Sequence, residues 1–99
     1  MSDCVLKTRR FGRWDARVTL GKLGLVVEFY DMEAENAPYG KFVNDYYVST
    51  LLGNEYGAPI SERYGLSLYG YSNGYSIRQP ELTELSDWLT DIQARYEVI

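Results

Sequence analysis

Residues 14–20 alternate strictly, with Trp14, Ala16, Val18 and Leu20 on one side and Asp15, Arg17 and Thr19 on the other. A period of two sets one row against a core and the other toward water, so the segment predicts a half-buried strand. Gly21-Lys22-Leu23-Gly24 then forms a short, glycine-bounded link into Leu25-Val26-Val27-Glu28-Phe29-Tyr30-Asp31, a run rich in β-branched and aromatic residues. Two such runs joined so closely predict a β-hairpin. Cys4 to Phe11 reads as a further strand ahead of it.

Met32 to Gly40 is polar and contains a proline, and its length comes near that at which loops tend to carry function rather than only connect. Lys41-Phe42-Val43 reads as a short strand. Asp45 is expected to cap a short helix through Tyr46, Tyr47, Val48, Leu51 and Leu52, closed by Gly53. A strand through Tyr46 and Val48 competes with that reading, because aromatic and β-branched residues crowd the segment. Beyond Gly53 the composition shifts to Gly, Tyr, Asn and Ser. Gly65-Leu66-Ser67-Leu68-Tyr69 alternates as a strand would. Asn73-Gly74 is a hairpin signal, with Tyr75-Ser76-Ile77-Arg78 as the return strand.

Pro80 to Tyr96 predicts a helix. Proline suits its first position, Glu81 and Glu84 suit its positive end, and Arg95 suits its negative end. Leu82, Leu85, Trp88, Leu89, Ile92 and Tyr96 fall on one arc about 120° wide, a stripe made for burial. Glu84, Asp87 and Asp91 lie on the far side. The expected architecture is a single α+β domain spanning 1–99: an antiparallel sheet of about four to five strands, the C-terminal helix packed on one face, and a short second helix.

Charge is distributed unevenly. Through Lys22 there are six basic residues (Lys7, Arg9, Arg10, Arg13, Arg17, Lys22) against Asp3 and Asp15; the rest carries twelve acids against Lys41, Arg63, Arg78 and Arg95. The halves either neutralise each other across a sheet or present a basic edge and an acidic body to partners. Lys7, Arg9, Arg10, Arg13 and Arg17, interleaved with Phe11 and Trp14, have the makings of a nucleic-acid stripe. An overall pI of 4.7 argues against direct nucleic-acid binding.

Chemistry narrows further with what is missing. The chain has no histidine and one cysteine, Cys4. Histidine-based triads and thiolate or imidazole metal sites are therefore excluded, and no disulfide framework exists within the chain. An oxygen-only cation site on Asp31, Glu33 and Glu35 lacks the glycine and closing glutamate of a calcium loop. Glu84, Asp87 and Asp91 sit on a solvated helix face, where a carboxylate has no raised pKa with which to act as an acid. The glycines at 21 and 24 precede a strand, so no phosphate-cradling loop is formed. The expectation is a protein that is not an enzyme and holds no cofactor or metal. Residues 1–10 carry Asp3, Lys7, Arg9 and Arg10 and lack the apolar core of a signal peptide, and no apolar run is long enough to span a membrane. A lone cysteine fits a reducing compartment, so a soluble cytoplasmic protein is expected.

What remains is tyrosine: ten in 99 residues, four of them directly before glycine at Tyr39, Tyr56, Tyr64 and Tyr69. Tyrosine supplies rigid amphipathic contact area at low entropy cost, and glycine lets a loop present it. Tyr39, Tyr56, Tyr64, Tyr71 and Tyr75 fall in or beside loops and are the candidate contact residues. The acids Glu33, Glu35, Glu55, Glu84, Asp87 and Asp91 would meet lysine and arginine on a protein partner with a basic surface. Size, acidity and composition make the chain similar in general type to the short accessory proteins of phages and mobile elements, anti-CRISPR and antirestriction proteins among them. That likeness implies an inhibitor or adaptor that occupies a basic, nucleic-acid-binding surface of a host effector. The alternative is a self-associating structural module, a homodimer without a catalytic role.

Overall fold

The computed structural model describes residues 5–53, 59–60, 66–67, 76–77 and 81–96. Its frame is a four-stranded antiparallel sheet in the order β1-β2-β3-β4, formed by Val5–Phe11, Trp14–Gly21, Gly24–Asp31 and Lys41–Tyr47. A one-turn helix α1 (Val48–Leu51) continues from β4, and α2 (Glu81–Tyr96) is the C-terminal helix. Leu66–Ser67 (β5) and Ser76–Ile77 (β6) form a separate two-stranded antiparallel ladder, with Leu66 opposite Ile77. The Asn73-Gly74 turn expected between them lies outside the described residues.

The alternation in the sequence becomes the two faces of the sheet. Trp14, Ala16 and Val18 of β2 and Leu25, Val27 and Phe29 of β3 are buried, while Asp15, Arg17, Val26, Glu28 and Tyr30 point the other way and are only partly covered. The inner row joins Leu82, Leu85, Leu89 and Ile92 of α2, Val48 and Leu51 of α1, and Ile60, Leu66 and Ile77 in one hydrophobic cluster. Phe11 and Trp88 meet at 5.7 Å between ring centroids, tying β1 to α2. Trp88 and Tyr96 flank the buried stripe half-covered, while Glu84, Asp87 and Asp91 are exposed as the helical period demands.

Two tight turns hold the meander. Phe11 pairs with Trp14 across Gly12-Arg13, and Gly12 takes φ 63, a left-handed value that glycine reaches without steric cost. Gly21 pairs with Gly24 around Lys22 and Leu23, as the glycine spacing anticipated.

Two local expectations are corrected. Leu20, set on the core row by the alternation, is 61% exposed while Thr19 is 5% exposed, so the burial pattern breaks near the end of β2. Asp45 does not cap a helix: it lies within β4, opposite Glu28, and α1 begins only at Val48 after Tyr47. Ladder pairing of Tyr46 with Val27 and Tyr47 with Val26 holds this segment extended, so a long-range partner outweighs a local cap. The closing signal was sound, since Gly53 N–H bonds to Thr50 O at 3.1 Å at the end of α1.

The register of β3 and β4 shifts between Phe29 and Tyr30: Phe29 faces Asn44 while Tyr30 faces Phe42, leaving Val43 as the extra residue. Such a bulge reverses the in-out parity beyond it. As a result Phe42, Asp45 and Tyr47 share the outer face, and Val43 goes into the core.

Candidate functional site: the pinned loop and the open sheet face

Among the described residues no element packs on the outer face of the sheet, where the register creates two cross-strand rows. One runs Thr8, Arg17, Glu28, Asp45; the other runs Arg10, Asp15, Tyr30, Phe42. Arg17 is the hub. Its guanidinium lies 3.8 Å from the centroid of the Tyr30 ring, and its Nε donates to Asp15 Oδ2 at 2.9 Å. Its Nη2 donates to the carbonyl oxygen of Tyr39 at 2.8 Å and lies 4.0 Å from Met32 Sδ. Thus one β2 side chain ties down the far end of the loop between Asp31 and Lys41. Arginine suits the position because a planar, delocalised cation can stack on a ring and still offer edge donors.

The near end of that loop is held by Arg13 and Asp31. Asp31 is 1% exposed and takes Arg13 Nε at 3.0 Å and Nη2 at 2.7 Å on its two oxygens. It also accepts the Glu33 N–H at 3.0 Å, and Met32 N–H bonds to Arg13 O at 2.8 Å. Burial pushes the Asp31 carboxyl upward, but the hydrogen bonds from Arg13 and the Glu33 amide and the charges of Arg13 and Lys41 outweigh it, leaving the pKa below the ordinary value. With both oxygens on Arg13, Asp31 is an anchor of the loop rather than the cation ligand considered from sequence. On the opposite side, burial first and then the neighbouring Glu28 carboxylate raise the Tyr30 hydroxyl above its usual range.

Pinned at both ends, the loop displays what lies between. Asn36 takes φ 58, a left-handed conformation that asparagine tolerates, and Gly40 takes φ 90. A Cβ on Gly40 would lie 2.6 Å from Met32 Sδ and 3.1 Å from Tyr30 Cβ, so the close return of the loop onto the sheet requires glycine there. Glu33 and Glu35 are exposed, and Tyr39 is 82% exposed. Phe42 follows at the edge strand, 48% exposed, its ring 5.6 Å from Tyr30 in an edge-on arrangement. Tyr47 is also on this face, beside a shallow recess of about 290 Å³ lined by Val26, Asp45, Tyr46 and Tyr47.

The structure therefore brings Tyr39, Glu33 and Glu35 together on one loop. It puts Glu84, Asp87 and Asp91 on α2, behind the sheet and away from that loop, with Asp91 paired to Arg95 at 2.9 Å. Tyr56, Tyr64, Tyr71, Tyr75 and Glu55 lie outside the described residues. No sequence signal marks Phe42 and Tyr47, because only the bulge at Val43 sets them on one face. Tyr30 had a legible signal, since it shares parity with Glu28 in an alternating strand.

The fold splits the basic N-terminal stretch, leaving Lys7, Arg9 and Arg10 exposed on β1. Arg13 binds Asp31, Arg17 binds Asp15, and Arg9 lies 3.8 Å from Glu84. Phe11 and Trp14, the rings that would stack on bases, are 3% and 4% exposed and belong to the core. A second groove, about 300 Å³, lies between the β2–β3 turn and the last turn of α2, lined by Leu20, Leu23, Leu25, Ser49, Gln93 and Tyr96 among others. Its described walls are apolar or neutral, with no carboxylate or cation. Among the described residues no helix is long and apolar enough to cross a membrane. Comparison with protein-family models, curated proteins and solved structures yields no match.

Proposed function

We propose that this chain is a small protein-binding module, an inhibitor or adaptor that places the loop between Asp31 and Lys41 and the outer edge of β4 against a basic surface of its partner. The observation that carries the reading is the loop itself: fastened at one end by Arg13 of the β1–β2 turn and at the other by Arg17 of β2, it leaves Tyr39 82% exposed between exposed acids and Phe42. A tyrosine whose backbone is held in place before binding has less freedom to lose on docking, and tyrosine is a residue type enriched among interface hot spots. Glu33 and Glu35 beside it add electrostatic steering toward lysine and arginine. A partner whose basic surface ordinarily meets nucleic acid fits this chemistry, the arrangement used by counter-defence proteins of phages and mobile elements.

The test is affinity capture of the tagged protein from nuclease-treated bacterial lysate, run beside a Glu33→Lys/Glu35→Lys variant. A protein retained by the parent and lost by the variant, with an on-rate that falls as salt rises, supports the reading. Equal retention by both, or salt-independent association, overturns the acidic-steering part. Self-association is the second reading, favoured by Leu20 and Leu23, which are 61% and 83% exposed at the rim of the apolar groove. Sedimentation equilibrium decides it, since a concentration-dependent dimer mass is required.

A further inference from the structure

We infer that the outer edge of β1 is a docking strand for an extended acidic segment of a partner protein, separate from the loop surface. In the four-stranded order β1 is an outside strand, and among the described residues β2 is its sole ladder partner. An unpaired edge offers a row of N–H and C=O groups to an incoming chain. The irregularity in β1 is confined to the stretch between Val5 and Lys7; from Lys7 to Phe11 the register with β2 is continuous. That regular stretch carries Lys7, Thr8, Arg9 and Arg10, all exposed.

Charge selects the occupant. Lys7 and Arg9 lie on the helix side of the strand and Arg10 on the open side, so both faces of the edge are basic. A second copy pairing through β1 would set cations opposite cations, which like-charge repulsion disfavours. Single-stranded nucleic acid is held on aromatic platforms as well as by cations, and the nearby rings of Phe11 and Trp14 are in the core, while a net charge of −4 opposes any polyanion. An added acidic strand gains on both counts, with backbone bonds along the edge and carboxylates beside the three cations. In antiparallel alignment its side chains opposite Arg10, Arg9, Thr8 and Lys7 would read acid, acid, any, acid.

The cations are placed for it. Arg9 is half-exposed, stacked 5.1 Å from the Phe11 centroid and only 3.8 Å from Glu84, which is itself exposed. Arg10 Nε donates to Gly12 O at 2.6 Å, fixing its stem along the edge, and Lys7 makes no ion pair among the described residues. Glu84 thus stands in as the counter-ion of Arg9 until a partner carboxylate replaces it.

The experiment titrates the full chain with an acetylated, amidated eight-residue peptide of valine and threonine carrying glutamates in that order, and reads amide exchange by NMR. The expected result is saturable binding that slows exchange of alternate amides in residues 7–10. Lys7→Gln/Arg9→Gln/Arg10→Gln should weaken binding about tenfold, as the sum of three exposed pairs implies. Glu84→Gln should strengthen it about twofold by removing the competing carboxylate. All four positions are exposed, so Tm should hold in each variant. No saturable binding, protection elsewhere than β1, or indifference to both sets of substitutions overturns the inference. So does tighter binding of a single-stranded oligonucleotide through the same residues, or a dimer that protects the same amides.

Discussion

Asp31 and Arg13 show how one buried contact shapes a surface. The carboxylate is fully enclosed and the guanidinium 28% exposed, joined by two short charge-assisted bonds. Removing one partner strands the other, so Arg13→Ala should lower the unfolding free energy by about 2–3 kcal/mol in a urea titration. The pH dependence follows from the depressed pKa. The pair contributes fully above the unfolded carboxyl value of 3.8 and is lost as pH falls through the lower folded value. Tm should therefore fall below about pH 4, and Asp31→Asn should flatten that acid limb while lowering Tm at neutral pH. Tyr30 has the opposite sign. Its raised pKa gives a contribution complete below 10.0 and lost as pH rises through the folded value, so Tyr30→Phe should flatten the alkaline limb. The Tyr30–Glu28 neighbourhood follows from strand parity, but the Arg13–Asp31 pair could not be read from the sequence. Arg13 and Asp31 are eighteen residues apart, and only the β2–β3 register brings the start of one strand to the end of the next.

At the scale of elements, period carried most of the information. Trp14, Ala16 and Val18 alternate as they bury, and Leu82, Leu85, Leu89 and Ile92 bury at the helical period. Leu85→Ala should cost about 2–5 kcal/mol by transfer and cavity terms, whereas Asp87→Ala on the solvated side should stay within about 0.5 kcal/mol. Thermal melts of the two variants separate a one-faced helix from one covered on both sides. Where period failed, a non-local choice decided. Asp45 had the chemistry of a cap, yet pairing with β3 carried the chain extended through Tyr47. The bulge at Val43 is likewise invisible in one sequence, because an inserted residue is defined only against a partner strand. It determines that Phe42 and Tyr47 join Tyr30 on the outer face.

For the whole molecule, the uneven charge of the chain resolves into structure. Asp15 and Asp31 neutralise arginines on or beside the sheet, and Glu84 reaches across to β1. Among the described residues, what is left over is spatially sorted: cations on the outer edge of β1, acids and aromatics on the loop and β4 side, further acids on the back of α2. Periodicity indicated α+β packing, and composition put tyrosine forward as the candidate contact residue. It could not show which tyrosines share a surface, since that depends on how Arg13 and Arg17 fasten the loop. The proposed function requires that surface to serve contact rather than folding. The most direct measurement is the dissociation constant of the captured partner for Tyr39→Ala/Phe42→Ala, taken with the Tm of the same variant. Binding weakened by about thirtyfold or more with Tm nearly unchanged is the predicted result, the size of one interface hot spot. Unchanged binding, or a fall in Tm that accounts for the loss, would contradict it.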